Sequence, residues 1–431
     1  MDLDTLISQQ NPQWIDRNYL PIESNWLRRK VFVEIRNWFN KRFIIALTGL
    51  RRVGKSTVLK QLIADLIKQG KGKNCFYFSF EKIQEKRNPE FLSKAIQFYL
   101  NAVLLKNPYE IKEKVYFFLD EIQNIPHWQE VIKFFYDQNE NLKFFVSGSN
   151  SLFINKKSKE SLGGRIIEIK IYPLKFKEYL EFKKPNFRIL ADNRTWLLSN
   201  LPIINTLFEE YLRQGQFPEV ISEKLNQSQA KVYLESIEEK ITQQDLPKIF
   251  PIEYPEVFSA IINQIKKSPG QRIEYQSIAK DVGLDKRTLS KYFDYLEKGF
   301  LISLCYNFGK KPIKAPRIAK KAYLVSPNFA QGSNRSILVE NYIFNHLQQR
   351  FLQVYFQKDK EIDFVAVDKN QDIYLFEVKF QNEIKTNDTK NLKDFIQTRK
   401  TKKAILITKK DYQKKTNIFY LPASLIEFYE L

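Results

Sequence analysis

Apolar and polar positions along the chain follow two periods. Short, nearly continuous apolar runs predict buried parallel strands at Phe43–Thr48, Cys75–Phe80, Val115–Leu119, Phe144–Val146 and Ile166–Tyr172. Between them, apolar residues fall at helical spacing over Ser56–Gln69, Pro89–Leu105 and Trp128–Gln138. Strands alternating with helices predict a parallel α/β sheet, which Pro173 closes. Ahead of it, residues 1–41 read as helical and mixed, with apolar spacing over Arg17–Leu20 and Trp26–Phe39.

The pattern changes after the sheet. Residues 174–260 read as mainly helical segments broken by prolines 202, 218, 247, 251 and 255. Residues 261–308 read as a compact unit. It has a helix at Tyr275–Asp281, a turn at Gly283 and a helix at Lys286–Lys298 capped by Asp285, where Leu289, Tyr292, Phe293 and Leu296 share a face. Phe300–Phe308 then reads as a β-rich wing, so a winged helix is expected. Residues 322–431 return to α/β character. Four segments follow from this reading: 1–180, a helical connector at 181–260, a winged-helix-like 261–321, and 322–431.

The turn after the first strand carries chemistry. Gly49-Leu50-Arg51-Arg52-Val53-Gly54-Lys55-Ser56 matches G-x-x-x-x-G-K-[ST], between a strand and a helix as a phosphate loop requires. Its glycines let backbone N–H groups curl around phosphate oxygens, and the following helix adds its positive end. Lys55 is the candidate for the β- and γ-phosphates and Ser56 for Mg²⁺. A second element agrees: the apolar strand Tyr116–Leu119 ends in Asp120 and Glu121, candidates for holding Mg²⁺ and for activating water. The third is the polar run Ser147–Asn150 at another strand end, where Ser149 or Asn150 could meet the γ-phosphate or the water. Two plainer readings stand beside these: a Gly-rich turn with acidic caps, and Glu121 as a cap alone. Arg165, at the start of the fifth strand, is a candidate for γ-phosphate charge in cis or from a neighbouring copy, or else a surface arginine.

Charge narrows the partners. Lys and Arg number 70 against 49 Asp and Glu, a net charge of +21. This fits a polyanionic partner, although a lysine-rich proteome gives the same balance. From Lys298 to Val339 there are eight bases and no acid. Lys286, Arg287 and Lys291 lie on the side of their helix that would meet DNA, unless this module contacts protein instead. Two cysteines make no disulfide framework and suit a reducing cytosol, and two histidines leave no His-rich metal site. No apolar run approaches the ~18 residues of a membrane span, so no membrane role is expected.

A last cluster sits near the C-terminal end. Glu361–Val367 alternates like a strand, and Tyr374–Lys379 follows after a turn. Glu377 and Lys379 share one face and Asp363 lies on the neighbouring strand, so two carboxylates and a lysine could serve one Mg²⁺ and its water. Glu340, on the helix Ile337–Arg350, could complete the group; the bland reading is a hairpin with ordinary surface charges.

Residues 13–180 resemble the AAA+-type P-loop ATPases of bacteria and archaea whose loop reads G-x-R-R-V-G-K-[ST], here Gly49 to Ser56 followed by Thr57. Leu162-Gly163-Gly164-Arg165 and Tyr172-Pro173-Leu174-Lys175-Phe176 fit the same family. Its C-terminal half is a domain of largely unknown function in the PD-(D/E)XK nuclease-like superfamily, and Gly215-Gln216-Phe217-Pro218-Glu219 looks like the opening of that half. The resemblance implies an AAA+-like sheet over 1–180, and ATP with Mg²⁺ as ligands. It also implies a PD-(D/E)XK-like fold over 322–431, in which Asp363, Glu377 and Lys379 match D…E-x-K and Glu340 is a looser match. Ser326 stands where relatives tend to carry Asp. The expected function is Mg²⁺-dependent ATP hydrolysis coupled to binding of nucleic acid, DNA ahead of RNA, with cleavage open. The alternative is a slow ATP-dependent switch on a protein partner, with an inactive nuclease-like fold. A homo-oligomer is expected if Arg165 acts in trans.

Overall fold

The computed structural model describes residues 3–81, 88–148, 162–184, 186–187, 193–309, 320–330, 332 and 334–430. It divides into two compact units, Met1–Tyr172 and Pro173–Leu431.

In the first unit five parallel strands form one sheet: β1 (Ile44–Thr48), β2 (Cys75–Ser79), β3 (Val115–Asp120), β4 (Leu142–Gly148) and β5 (Ile166–Lys170). Their spatial order is β2-β3-β4-β1-β5. Every residue of β1, β3 and β4 is buried, which explains their unbroken apolar runs: a strand covered on both faces has no polar side. The crossing helices Lys55–Lys68, Pro89–Phe98 and Trp128–Gln138 present the predicted apolar stripes. Two expectations are corrected. The Pro89–Leu105 helix is α-helical only to Phe98 and continues as a π-turn over Tyr99–Val103. Arg17–Leu20 is not helical, because Pro21 biases the residue before it away from helical backbone.

The second unit is built on an eight-stranded mixed sheet of order β12-β13-β11-β10-β9-β8-β6-β7. The strands are β6 (Ile302–Asn307), β7 (Lys320–Leu324), β8 (Gln353–Gln357), β9 (Ile362–Val367), β10 (Ile373–Lys379), β11 (Lys403–Thr408), β12 (Gln413–Lys415) and β13 (Ile418–Pro422). The helices Tyr275–Val282 and Lys286–Lys298 form as expected, with Asp285 capping the second through the amides of Arg287 and Thr288. The hairpin that follows them, β6–β7, continues the same sheet because β6 pairs with β8. A cut at residue 321/322 therefore runs through β7. The 181–260 segment is also more than a connector: Ile204, Phe208, Tyr211 and Leu212 pack in one core with Tyr342, Ile343, Phe364 and Phe376. Its prolines 202, 218 and 255 occupy the first turns of helices, where a missing N–H costs nothing, so they begin segments as well as separate them. Among the described residues, no helix is long and apolar enough to cross a membrane.

Candidate functional site

The loop between β1 and its helix is shaped for an anion. Gly49 has φ +149°, and a Cβ there would lie 2.2 Å from the carbonyl oxygen of Ile171, so only glycine fits. Arg52 (φ +63°) and Gly54 (φ +97°) also turn through the left-handed region, which curls the backbone over the start of the helix Lys55–Lys68. No side chain caps that helix start, so its first amides face the loop. Lys55 is buried, and its Nζ donates to the carbonyls of Gly49 (3.1 Å) and Leu50 (2.9 Å). Ser56 and Thr57 stand half-buried on the first turn. Val53 is buried; Arg51 pairs with Glu81 at 3.6 Å, and Arg52 is exposed.

The sequence did not announce what holds this loop. Arg29 is buried, and its guanidinium donates to the carbonyls of Val53 (2.9 Å) and Tyr172 (2.8 Å). It thereby fixes the loop to the end of the first unit. Both bonds come from Nη1, whose two N–H groups lie fixed in the guanidinium plane. On the sheet, Thr48 donates to Glu168 at 2.8 Å and links β1 to β5.

Because β4 lies between β1 and β3, the end of β4 separates the loop from the acids. Ser147 fills that position. Its hydroxyl donates to Asp120 Oδ1 and accepts the Glu121 amide at 3.3 Å. Tyr77 donates to the other Asp120 oxygen at 3.1 Å, and burial together with the Asp120 charge raises the Tyr77 phenol well above its usual range. Asp120 is thus held by two neutral hydroxyls. Glu121 is buried at φ +54°. Its side chain makes no capping bond and instead accepts from Gln123 Nε2 at 2.5 Å. The loop, Ser147, Asp120 and Glu121 therefore gather at the carboxyl ends of adjacent parallel strands, where open α/β sheets bind ligands. These residues suit a triphosphate with its divalent cation: a glycine-only cradle, an uncapped helix start, a lysine, a hydroxyl and an acid.

Arg165 is not brought to this place. It precedes β5, which runs parallel to β1 from Ile44↔Ile166 to Thr48↔Lys170. It lies at the opposite edge of the sheet, about 16 Å from the loop by strand length, and pairs there with Asp137 at 3.3 Å. Within one chain it does not reach the loop. Ser149 and Asn150 lie outside the described residues.

The second candidate cluster assembles in the second unit. The β9–β10 ladder ends at Phe364↔Phe376, and beyond it side chains take over the pairing. Asp363 Oδ2 accepts the Val378 amide (2.8 Å) and Glu377 Oε2 accepts the Asp363 amide (3.3 Å). Lys379 donates to Glu377 Oε1 at 2.6 Å. Burial and the charges of Glu340 and Glu377 raise the Asp363 carboxyl well above the usual range, so Glu340 does face the trio. Glu340 Oε1 accepts from Tyr323 (2.6 Å) and Lys321 (3.1 Å), two residues that the sequence pattern did not connect to it. Among the described residues, no three His, Cys, Asp or Glu side chains are set to hold one ion, so Glu340 does not join Asp363 and Glu377 in a three-acid site.

Residues 41–180 match the family profile of an AAA domain. Residues 205–328 and 335–426 match two domains of unknown function, DUF8612 and DUF4143. The chain is 28% identical over 385 residues to an uncharacterized protein of Haemophilus influenzae, covering 86% of this chain and 90% of that one. It is 27% identical over 385 residues to an uncharacterized protein of Methanocaldococcus jannaschii (84% and 81% covered). A second protein from that organism is 29% identical over 316 residues, 70% of this chain and 64% of that one. Among solved structures, a Walker-type ATPase of Pyrococcus abyssi aligns with TM-score 0.46 at 17% identity, covering 73% of this chain and 98% of that one. The Aeropyrum pernix Orc1 protein in complex with DNA aligns with TM-score 0.32 at 12% identity, covering 78% and 97%. Strand order, loop and family match together make residues 41–180 an AAA-type P-loop α/β domain.

Proposed function

We propose that this protein is a Mg²⁺-dependent ATPase whose nucleotide state governs binding of nucleic acid, DNA in preference to RNA, by its basic second unit. The observation that carries the reading is the adjacency of β1, β4 and β3, whose ends carry the Gly49–Thr57 loop, Ser147, and Asp120 with Glu121. Bound Mg²⁺ would supply charge to the transferring phosphoryl group, with Ser56 and Asp120 as its protein ligands. The loop amides and Lys55 bind and orient the phosphates. Glu121 takes a proton from the attacking water, and Gln123 fixes the carboxylate that does so. Arg165, remote from its own loop, serves a neighbouring copy if the protein assembles.

For nucleic acid, the support is the exposed row Lys286, Arg287 and Lys291 on a capped second helix of helix-turn-helix order. Lys310, Lys311, Lys314 and Arg317 lie outside the described residues. A cytosolic site of action fits the two buried, unpaired cysteines, whose thiols burial pushes up. Cleavage is not part of the reading.

The test is steady-state ATP hydrolysis with Mg²⁺ or EDTA, with and without DNA and RNA, alongside a salt series of DNA binding. Expected are Mg²⁺-dependent turnover that DNA changes more than RNA does, and affinity that falls steeply with salt. Turnover indifferent to both polymers, with a flat salt response, would favour a switch acting on a protein partner.

A further inference from the structure

The acidic cluster of the second unit contains a cation of its own. Glu340, Asp363 and Glu377 bring three carboxylates together, and two ammonium groups, Lys321 and Lys379, face them. Two lysines carry the same +2 charge as one divalent metal ion. Lys379 belongs to the E-x-K pattern. Lys321 does not: it comes from β7, far from Asp363 along the chain, and donates to Glu340 Oε1 at 3.1 Å, while its charge also acts on Asp363.

We propose that the second unit holds a latent divalent-cation site, kept closed by Lys321, whose ammonium stands where the metal's charge would be needed.

Three observations carry this. First, four of the six carboxylate oxygens are engaged by named donors. Glu340 Oε1 takes both Lys321 and Tyr323, Asp363 Oδ2 takes the Val378 amide, and both oxygens of Glu377 accept, from Lys379 and from the Asp363 amide. A hard cation bound at about 2.0–2.6 Å needs such lone pairs turned to one point, and among the described residues no three acids provide that. Second, the arrangement is packed from behind. A Cβ on Gly270 (φ +87°) would lie 2.7 Å from the Tyr323 ring and 3.2 Å from Glu340 Oε1, so the chain backs directly onto the Tyr323–Glu340 bond. The Gly270 amide is tied to the Ala322 carbonyl at 2.8 Å, beside Lys321. Third, β7 and β9 belong to one sheet, so the ammonium is carried to the acids by rigid structure and not by a loop tip. The cluster joins β7, the helix Arg335–Arg350 and the splayed ends of β9 and β10. Removing the ammonium leaves acids whose charge a metal would then have to compensate.

The inference is independent of the nucleotide reading, and it is tested on the full chain without nucleotide. Mn²⁺ is the probe, followed by loss of its free electron paramagnetic resonance signal. Wild type should retain no Asp363-dependent Mn²⁺. Lys321→Ala should retain one equivalent at least tenfold more tightly than wild type, and adding Asp363→Asn should abolish that gain. If Lys321→Ala does not fold, Lys321→Gln takes its place. A wild-type chain that binds one Mn²⁺ and loses it on Asp363→Asn overturns the proposal. So does a folded Lys321 variant that gains none.

Discussion

Both units set acids at the ends of strands, and they differ in what holds the acids. In the first unit Asp120 is held by the hydroxyls of Ser147 and Tyr77, which orient a carboxylate without cancelling its charge. In the second, Glu377 faces Lys379 at 2.6 Å and Glu340 faces Lys321 at 3.1 Å, so charge is balanced inside the protein. The lesson concerns pattern reading. Acids and a lysine at suitable spacing describe an ion site and an internal ion pair equally well. The donors around the acids decide between them.

This contrast can be broken at four points, in falling order of effect. Lys55→Ala should reduce ATP turnover to background and abolish nucleotide retention while circular dichroism stays that of a folded chain; retained affinity would refute the loop assignment. Glu121→Gln should keep ATP bound and slow hydrolysis by about 10²–10⁴-fold, the usual worth of a general base, in a single-turnover assay. Survival of the wild-type rate would mean another group activates water. Lys379→Met should do the reverse of Lys55→Ala. It strands the buried Glu377 and lowers stability of the second unit by about 1–2 kcal/mol, reduced from the cost of a fully buried pair because the lysine is about one-third exposed. ATP turnover should be unchanged, and denaturant melting reads the difference. At neutral pH the smallest effect concerns His346. Burial, aided by the Lys175 and Arg350 charges, lowers its pKa to about 3, so it stays neutral in the fold and protonates in the unfolded chain below its ordinary 6.5. Its contribution to stability is therefore lost as pH falls from about 6.5 toward 3. His346→Gln should flatten that acid limb relative to wild type.

The loop was legible because its residues are consecutive and its conformation needs glycine at a fixed place. The buried strands were legible because burial on both faces leaves no polar positions. What escaped was held by distant or silent partners. Ser147 and Asp120 are brought together by strand order, which places β4 beside β3. Arg29 acts on two backbone carbonyls, and a carbonyl acceptor leaves no mark in the sequence. Lys321 looked like one base in a basic run until the sheet set it against Glu340. Arg165 is the opposite case. Its strand was read correctly, but parallel direction sends the start of β5 to the edge away from the loop.

The most direct test of the account is calorimetric titration of the folded full chain with ATP in the presence of Mg²⁺. The account predicts one nucleotide per chain, and none for Lys55→Ala. A folded wild-type protein that takes up no nucleotide would contradict it.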